Sequence, residues 1–224
     1  MKEWMSAIPQ SEQQAAFKRA EIYRDMELGE KLALVVIDVT YGFTGSPALT
    51  LSEAIQEFPS ACGPAAWEAM PRISRLIKLF RNRQLPVIYT HSDPYNTEYT
   101  GKAAKSRNPK VKDAPRFNEF PEMVAPMEGE WILAKTKASA FFQTPLSAYL
   151  VKQKVDTLVL CGVSTSGCVR ASSVDAFSHG YSTYVIDDCC FDRSYFSHCS
   201  NLFDMNAKYA SVISLSELET LMAK

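Results

Sequence analysis

The chain has 224 residues, 46% hydrophobic and 22% charged, and its 24 Lys and Arg against 25 Asp and Glu leave a net charge of −1. That is ordinary globular composition, long enough for one well-buried core, and its balance of charge argues against nucleic-acid or membrane-surface partners. The longest apolar runs, such as LALVVI (32–37), are far too short to cross a bilayer.

The start, MKEWMSAIPQSEQQAAF, lacks the charged n-region and long apolar centre of a signal peptide, so a cytoplasmic setting is expected. Cysteines 62, 161, 168, 189, 190 and 199 are then expected to be reduced, and they include no C-x-x-C or zinc-finger spacing. Adjacent Cys189 and Cys190 leave a strained vicinal disulfide as a minor alternative. With no repeat, low-complexity block or Gly/Ser linker, residues 1–30 read as a partly helical lead-in and 31–224 as one domain.

In chain order, KLALVVIDV (31–39) is a continuous β-branched run ending in an acid. AAWEAMPRISRLIKLFRNRQ (65–84) carries Ile73, Leu76, Ile77 and Phe80 at helical spacing, and PVIYTHSD (86–93) is the next short run. WILAKT (131–136) follows a turn. TPLSAYLVKQK (144–154) is read as a helix with Thr144 as cap and Pro145 at its first position. TLVLCGV (157–163) is a buried strand, SGCVRASSVDAFSHG (166–180) a helix ended by Gly180, and STYVIDD (182–188) a further strand. HCSNLFDMNAKYA (198–210), SVISL (211–215) and SELETLMAK (216–224) give helix, strand and helix. Short apolar strands alternating with helices predict an α/β fold: a doubly wound three-layer sandwich around a six-stranded, mostly parallel sheet. Residues 41–62 and 93–127 fit no element and read as irregular excursions, functional loops or plain connectors.

Ligands of such sheets bind outside the carboxyl ends of the strands. Three reactive residues fall there: Asp38 after the first strand, Lys135 at the end of WILAK, and Cys168 beyond TLVLCGV. Singly, each is more often a solvated or packing residue; together they offer an acid, a cation and a thiol. LVLCGVSTSGCVRAS (158–172) nearly spells a phosphate-binding loop, but Cys168 and Val169 stand where Lys and Ser or Thr belong. The chemistry that suits a cysteine there is nucleophilic. A helix N-terminus and the Lys135 cation are expected to lower the thiol pKa. Asp38 would take the thiol proton and return it to a leaving amine, while backbone N–H groups of the loop hold an oxyanion.

The motifs LVVIDVTYGF (34–43), KTKASAFFQTPL (135–146) and CGVSTSGCVRASSVDAF (161–177) resemble the isochorismatase-like cysteine hydrolases from about residue 30 to the end. STSGCVRASSVDAFSHG (164–180) and CCFDRSYFSHCSNLFDMNAKYASV (189–212) point within them to the N-carbamoylsarcosine amidases and maleamate amidohydrolases. The resemblance implies an Asp38–Lys135–Cys168 triad, a cis Val163–Ser164 peptide, and an oxyanion hole from the N–H groups of Ser164 and Cys168. It implies a small amide or ureido substrate bearing a carboxylate, held by Arg193 with Thr165 as second donor, and a homo-oligomer, tetramer or dimer. A guanidinium suits that role because its planar fork matches a carboxylate. Phe43 is an expected apolar wall, with a plain core aromatic as the alternative.

Metal-binding relatives use acids and histidines after the first strand. TYGFTGSPALTLSEA (40–54) has no histidine, and His91, His179 and His198 are isolated, so neither metal nor other cofactor is expected. His179 near a helix end reads as a surface group. A nicotinamidase-like activity, a thiol-redox protein using Cys168 with Cys189 or Cys190, and a silent binding module are the competing readings.

Overall fold

Each of the six apolar runs is a strand in the computed structural model, which describes residues 2–20, 26–93 and 114–223. They are β1 (Leu32–Ile37), β2 (Val87–Ser92), β3 (Trp131–Lys135), β4 (Thr157–Val163), β5 (Ser182–Phe191) and β6 (Ser211–Ile213). They form one sheet in the order β3-β2-β1-β4-β5-β6, with every pairing parallel.

All six residues of β1 are buried. Alternate side chains point to opposite faces of a strand, so a continuous apolar run means a sheet covered on both sides. Leu34 and Val36 pack with Ile73, Leu76, Ile77 and Phe80 of one helix, whereas Ala33, Val35 and Ile37 pack with Leu146, Leu150, Leu202 and Met205 of others. The helices are α1 (Gln10–Ala20), α2 (Tyr41–Thr44), α3 (Leu51–Glu57), α4 (Pro64–Asn82), α5 (Leu146–Lys152), α6 (Arg170–Ser178), α7 (Tyr195–Lys208) and α8 (Leu215–Met222). None among the described residues is long and apolar enough to cross a membrane.

Gly180 ends α6 as expected. At φ +87° it donates to Phe177 O while Tyr181 donates to Ala176 O, a Schellman closure. Helix α5 begins one residue later than its sequence signal, with Pro145 at the cap and the Thr144 hydroxyl accepting the Leu146 N–H at 3.3 Å. The segment 41–62 is more ordered than expected: it holds α2 and α3. The latter opens on a capping box in which the Thr50 hydroxyl accepts from Glu53 N–H and the Glu53 carboxylate accepts from Thr50 N–H. Most of the 93–127 excursion (94–113), like 21–25 of the lead-in, lies outside the described residues. The first turn of the lead-in docks onto the body, with Trp4 buried and its indole N–H donating to Asp187 Oδ2 at 2.9 Å.

Candidate active site

The chain runs from β1 outward through β2 to β3, then returns to the other side of β1 as β4. The strand order therefore reverses between β1 and β4, the crevice where doubly wound sheets bind ligands. Asp38 follows β1 there, the Ser164–Val169 turn follows β4, and Lys135 closes β3 two strands away.

The two strands come unusually close at this edge. A Cβ on Gly162 would stand 2.2 Å from Ile37 O, and Gly162 has φ +109°. The β4–β5 register also shifts between Leu160 and Gly162, with the extra residues on β5. At Gly167 a Cβ would meet Ser164 Oγ at 2.5 Å. Both glycines of the near phosphate loop are thus explained by crowding of the chain on itself. The Val163–Ser164 peptide is cis. The turn beyond it is π-helical, Val169 N–H reaching back to Ser164 O at 3.1 Å, and Cys168 sits within it.

Asp38 is fully buried and adopts φ +52°, a left-handed conformation tolerated by Asp more than by most residues. Thr90 of β2 holds it: the Asp38 N–H donates to Thr90 Oγ1 at 3.1 Å, and that hydroxyl donates to Asp38 Oδ1 at 2.7 Å. The other carboxylate oxygen, Oδ2, accepts from Lys135 Nζ at 2.7 Å. Lys135 uses its remaining protons on Lys137 O (3.2 Å) and Cys168 Sγ (3.4 Å), so the ammonium has three donors and three acceptors. The Asp38 charge also acts on the thiol. Acid and sulfur thus meet at the ammonium, a triangle with Lys135 at its apex.

The electrostatics of the triangle differ from the sequence expectation for the thiol. Burial, and then the Asp38 charge, push Cys168 up to about 12 despite the opposing pull of Lys135. The lysine does not overcome burial and the Asp38 charge together. Burial alone would depress Lys135, but Asp38 and then Cys168 outweigh it and hold the ammonium above its ordinary value. At rest the sulfur is held as the thiol and Lys135 as the ammonium.

Cys168 is partly exposed, whereas Cys62, Cys161, Cys189 and Cys190 are buried, and Cys189 and Cys190 stand as separate thiols. Arg193, just beyond β5, is exposed, and its guanidinium donates to Ser60 O. Ser60 in turn donates to Gly42 O at 2.6 Å and Cys62 N–H to Phe43 O at 2.8 Å. These bonds link the Arg193 guanidinium to the segment that carries Phe43, a buried ring that packs in the core 5.8 Å from that of Phe117. Thr165 is fully buried, its hydroxyl bonded to Phe191 O at 3.1 Å and to His198 Nδ1 at 2.8 Å.

Three residues bonded to the site carry no local signal of it in the sequence: Thr90, Asp192 and His198. His198, isolated in the sequence, touches the turn that carries Cys168, and burial holds its pKa below the ordinary histidine value against the pull of Asp192. His91 bonds Ser92 O through Nδ1, and His179 stacks on Phe141 with ring centres 5.0 Å apart. No group of three or more His, Cys, Asp or Glu among the described residues is placed to hold a metal ion.

A doubly wound sheet with a thiol, a carboxyl group and an ammonium at its switch point has parts that hydrolases use. The isochorismatase domain family matches residues 32–217, and the chain belongs to that family. Maleamate amidohydrolase of Pseudomonas putida is 38% identical over 193 residues, 83% of this chain and 84% of its own length. N-carbamoylsarcosine amidase of an Arthrobacter species is 26% identical over 161 residues, 69% of this chain and 61% of that one. Among solved structures, an isochorismatase family protein from Desulfovibrio vulgaris is similar with a TM-score of 0.71 at 26% identity, covering 88% of this chain and all of that one.

Proposed function

We propose that this protein hydrolyses the C–N bond of a small amide or ureido compound that bears a carboxylate, releasing ammonia through a thioester on Cys168. The observation that carries the reading is the Lys135 ammonium bridging Asp38 Oδ2 and Cys168 Sγ. Moving the thiol proton to Asp38 leaves the net charge of the triangle unchanged, and Lys135 touches both atoms that exchange the charge. The sulfur then attacks the amide carbonyl, and Asp38 hands the proton to the departing nitrogen. In the second half Asp38 takes a proton from water as it attacks the thioester, and returns it to the sulfur as the acid leaves.

The N–H groups of Ser164 and Cys168, in the turn after the cis peptide, are the oxyanion donors of this reading. Arg193 receives the substrate carboxylate and Phe43 lines the wall beside it. Thr165 joins them only by releasing one of its two hydrogen bonds. The similarity to maleamate amidohydrolase and N-carbamoylsarcosine amidase supports a carboxylate-bearing amide over nicotinamide. Residues 31–224 act as one domain with 1–30 as its lead-in. A thiol nucleophile suits a reducing compartment, the cytoplasm, and the exposed apolar side chains Phe142, Val151, Phe177 and Phe196 support a dimer or tetramer.

The test is ammonia release from maleamate, N-carbamoylsarcosine, nicotinamide and a set of ureido acids, with Cys168→Ala alongside. Release from a carboxylate-bearing amide by the wild type alone is the expected result. Equal turnover by Cys168→Ala would sink the mechanism, and release from nicotinamide alone would sink the carboxylate requirement.

A further inference from the structure

One carboxylate that the triangle does not use holds the nucleophile turn from behind. Asp192 follows directly on β5 and is 7% exposed. Its Oδ2 accepts from the Ser166 N–H at 2.9 Å and the Ser166 hydroxyl at 2.7 Å, two residues before Cys168. Its Oδ1 accepts from the Arg193 N–H at 2.8 Å. A planar, rigid group therefore spans the turn that carries the sulfur and the residue that carries the guanidinium. The Thr165 bonds to Phe191 O and His198 strap the same turn to the end of β5 and to α7.

Resting on the reading that Arg193 takes the substrate's carboxylate, we propose that Asp192 is a positioning residue that fixes the spacing between Cys168 and Arg193. It thereby selects substrates by the distance from their carboxylate to the scissile carbonyl. The three hydrogen bonds suit a carboxylate better than an amide. All three donors converge on a group that offers acceptors alone, and bonds to an ionised acceptor are the stronger kind. An amide at this position presents one acceptor and one donor, so either Ser166 or Arg193 would face a donor with a donor. Buried, that mismatch finds little water to relieve it.

The test compares wild type, Asp192→Asn and Ser166→Ala, and needs no turnover. Cys168 is alkylated with ω-bromoalkanoates of two to five carbons, each rate divided by that of the matching ω-bromoalkanamide. In the wild type this ratio should peak at one chain length, by about tenfold, because a misplacement near 1 Å costs up to ~10²-fold in reactivity. Asp192→Asn should flatten the peak to within about twofold, with Ser166→Ala intermediate. A residue that merely stabilises the fold would slow every reagent alike and leave the peak in place, and that outcome overturns the proposal. A wild type with no peak and no preference for the charged reagents overturns the Arg193 reading as well. Should Asp192→Asn fail to fold, Ser166→Ala decides: an unchanged peak rejects the positioning role.

Discussion

Lys135 Nζ lies 2.7 Å from Asp38 Oδ2, and both side chains are almost wholly sealed from water. An ion pair so buried adds little net stability, but removing one member strands the other charge in a poor solvent. Lys135→Met is expected to cost about 3–5 kcal/mol, and the double variant Lys135→Met with Asp38→Asn to recover most of it. Urea midpoints of the two single variants and the double would show this. A double variant no better than Lys135→Met would contradict it. Both should be inactive, because either change opens the triangle.

Thr90 offers a finer probe of the same acid. Its hydroxyl donates to Asp38 Oδ1 at 2.7 Å and accepts the Asp38 N–H at 3.1 Å. Thr90→Val keeps the shape and removes both bonds. A hydrogen bond to a charged group is worth about 1.5–3 kcal/mol, so a stability loss in that range is expected. With the carboxylate freer to turn, kcat should fall while KM for the amide holds. A variant with wild-type kcat would show that Asp38 is oriented by Lys135 alone.

The raised thiols set an alkaline limit. Burial, then the opposing Arg193 and the adding Asp192, leave Cys62 at about 12, and Cys168 stands at about 12 as well. An unfolded cysteine titrates at about 8.5. Folded pKa values above unfolded ones mean that the folded state holds these protons longer. Their contribution is complete below about pH 8.5 and is lost as pH climbs toward 12. Lys135, raised by Asp38 and Cys168 against its burial, acts in the same direction above about pH 10. Urea midpoints should therefore fall steadily from pH 9 to 11. Activity should behave differently: in the proposed mechanism the thiol proton passes to Asp38 inside the site, so kcat/KM should be flat from pH 7 to 9. A tenfold rise per pH unit across that window would show instead that bulk ionisation of the thiol starts the reaction.

What could be read from the residues, and what could not, divides along physical lines. The strands were legible because a sheet covered on both faces turns each strand into an unbroken apolar run, as LALVVI shows. Helix α3 was missed because only Ala54 is buried in it, so no apolar period marks it. Its signal was the Thr50–Glu53 capping box, two polar residues rather than a hydrophobic stripe. The triangle was legible because Asp38 and Lys135 stand at strand ends and Cys168 in the turn that follows β4. Asp192 stands at a strand end too, but Asp187 and Asp188 read as the end of β5, which in fact continues through buried Cys189, Cys190 and Phe191. That acidic pair fits inside the strand because each side chain has a tertiary partner. Trp4 donates to Asp187, and the Leu215 N–H donates to Asp188 at 2.9 Å. Such pairings link residues more than twenty positions apart and leave no local pattern.

The approach of β4 to β1 is the feature on which the site's geometry depends most directly. Gly162 sits at φ +109°, where an L side chain is strained, and a Cβ there would press to 2.2 Å on Ile37 O, which is backbone and cannot swing aside. Gly162→Ala therefore requires the two strands to part at the residue before Asp38 and two residues before Ser164. Strain of this kind costs of order 1–3 kcal/mol before the clash is counted, so a loss at the top of that range or beyond is expected. Gly180, also at positive φ but with nothing within 4 Å of its Cβ position, supplies the control. Gly180→Ala should carry the conformational cost alone, about 1 kcal/mol, and keep full kcat. Gly162→Ala should lose both stability and turnover, since the parting moves Asp38 relative to Cys168. Equal kcat in the two variants would mean that the crevice tolerates the displacement, and that the triangle is held by its own hydrogen bonds rather than by the strands beneath it.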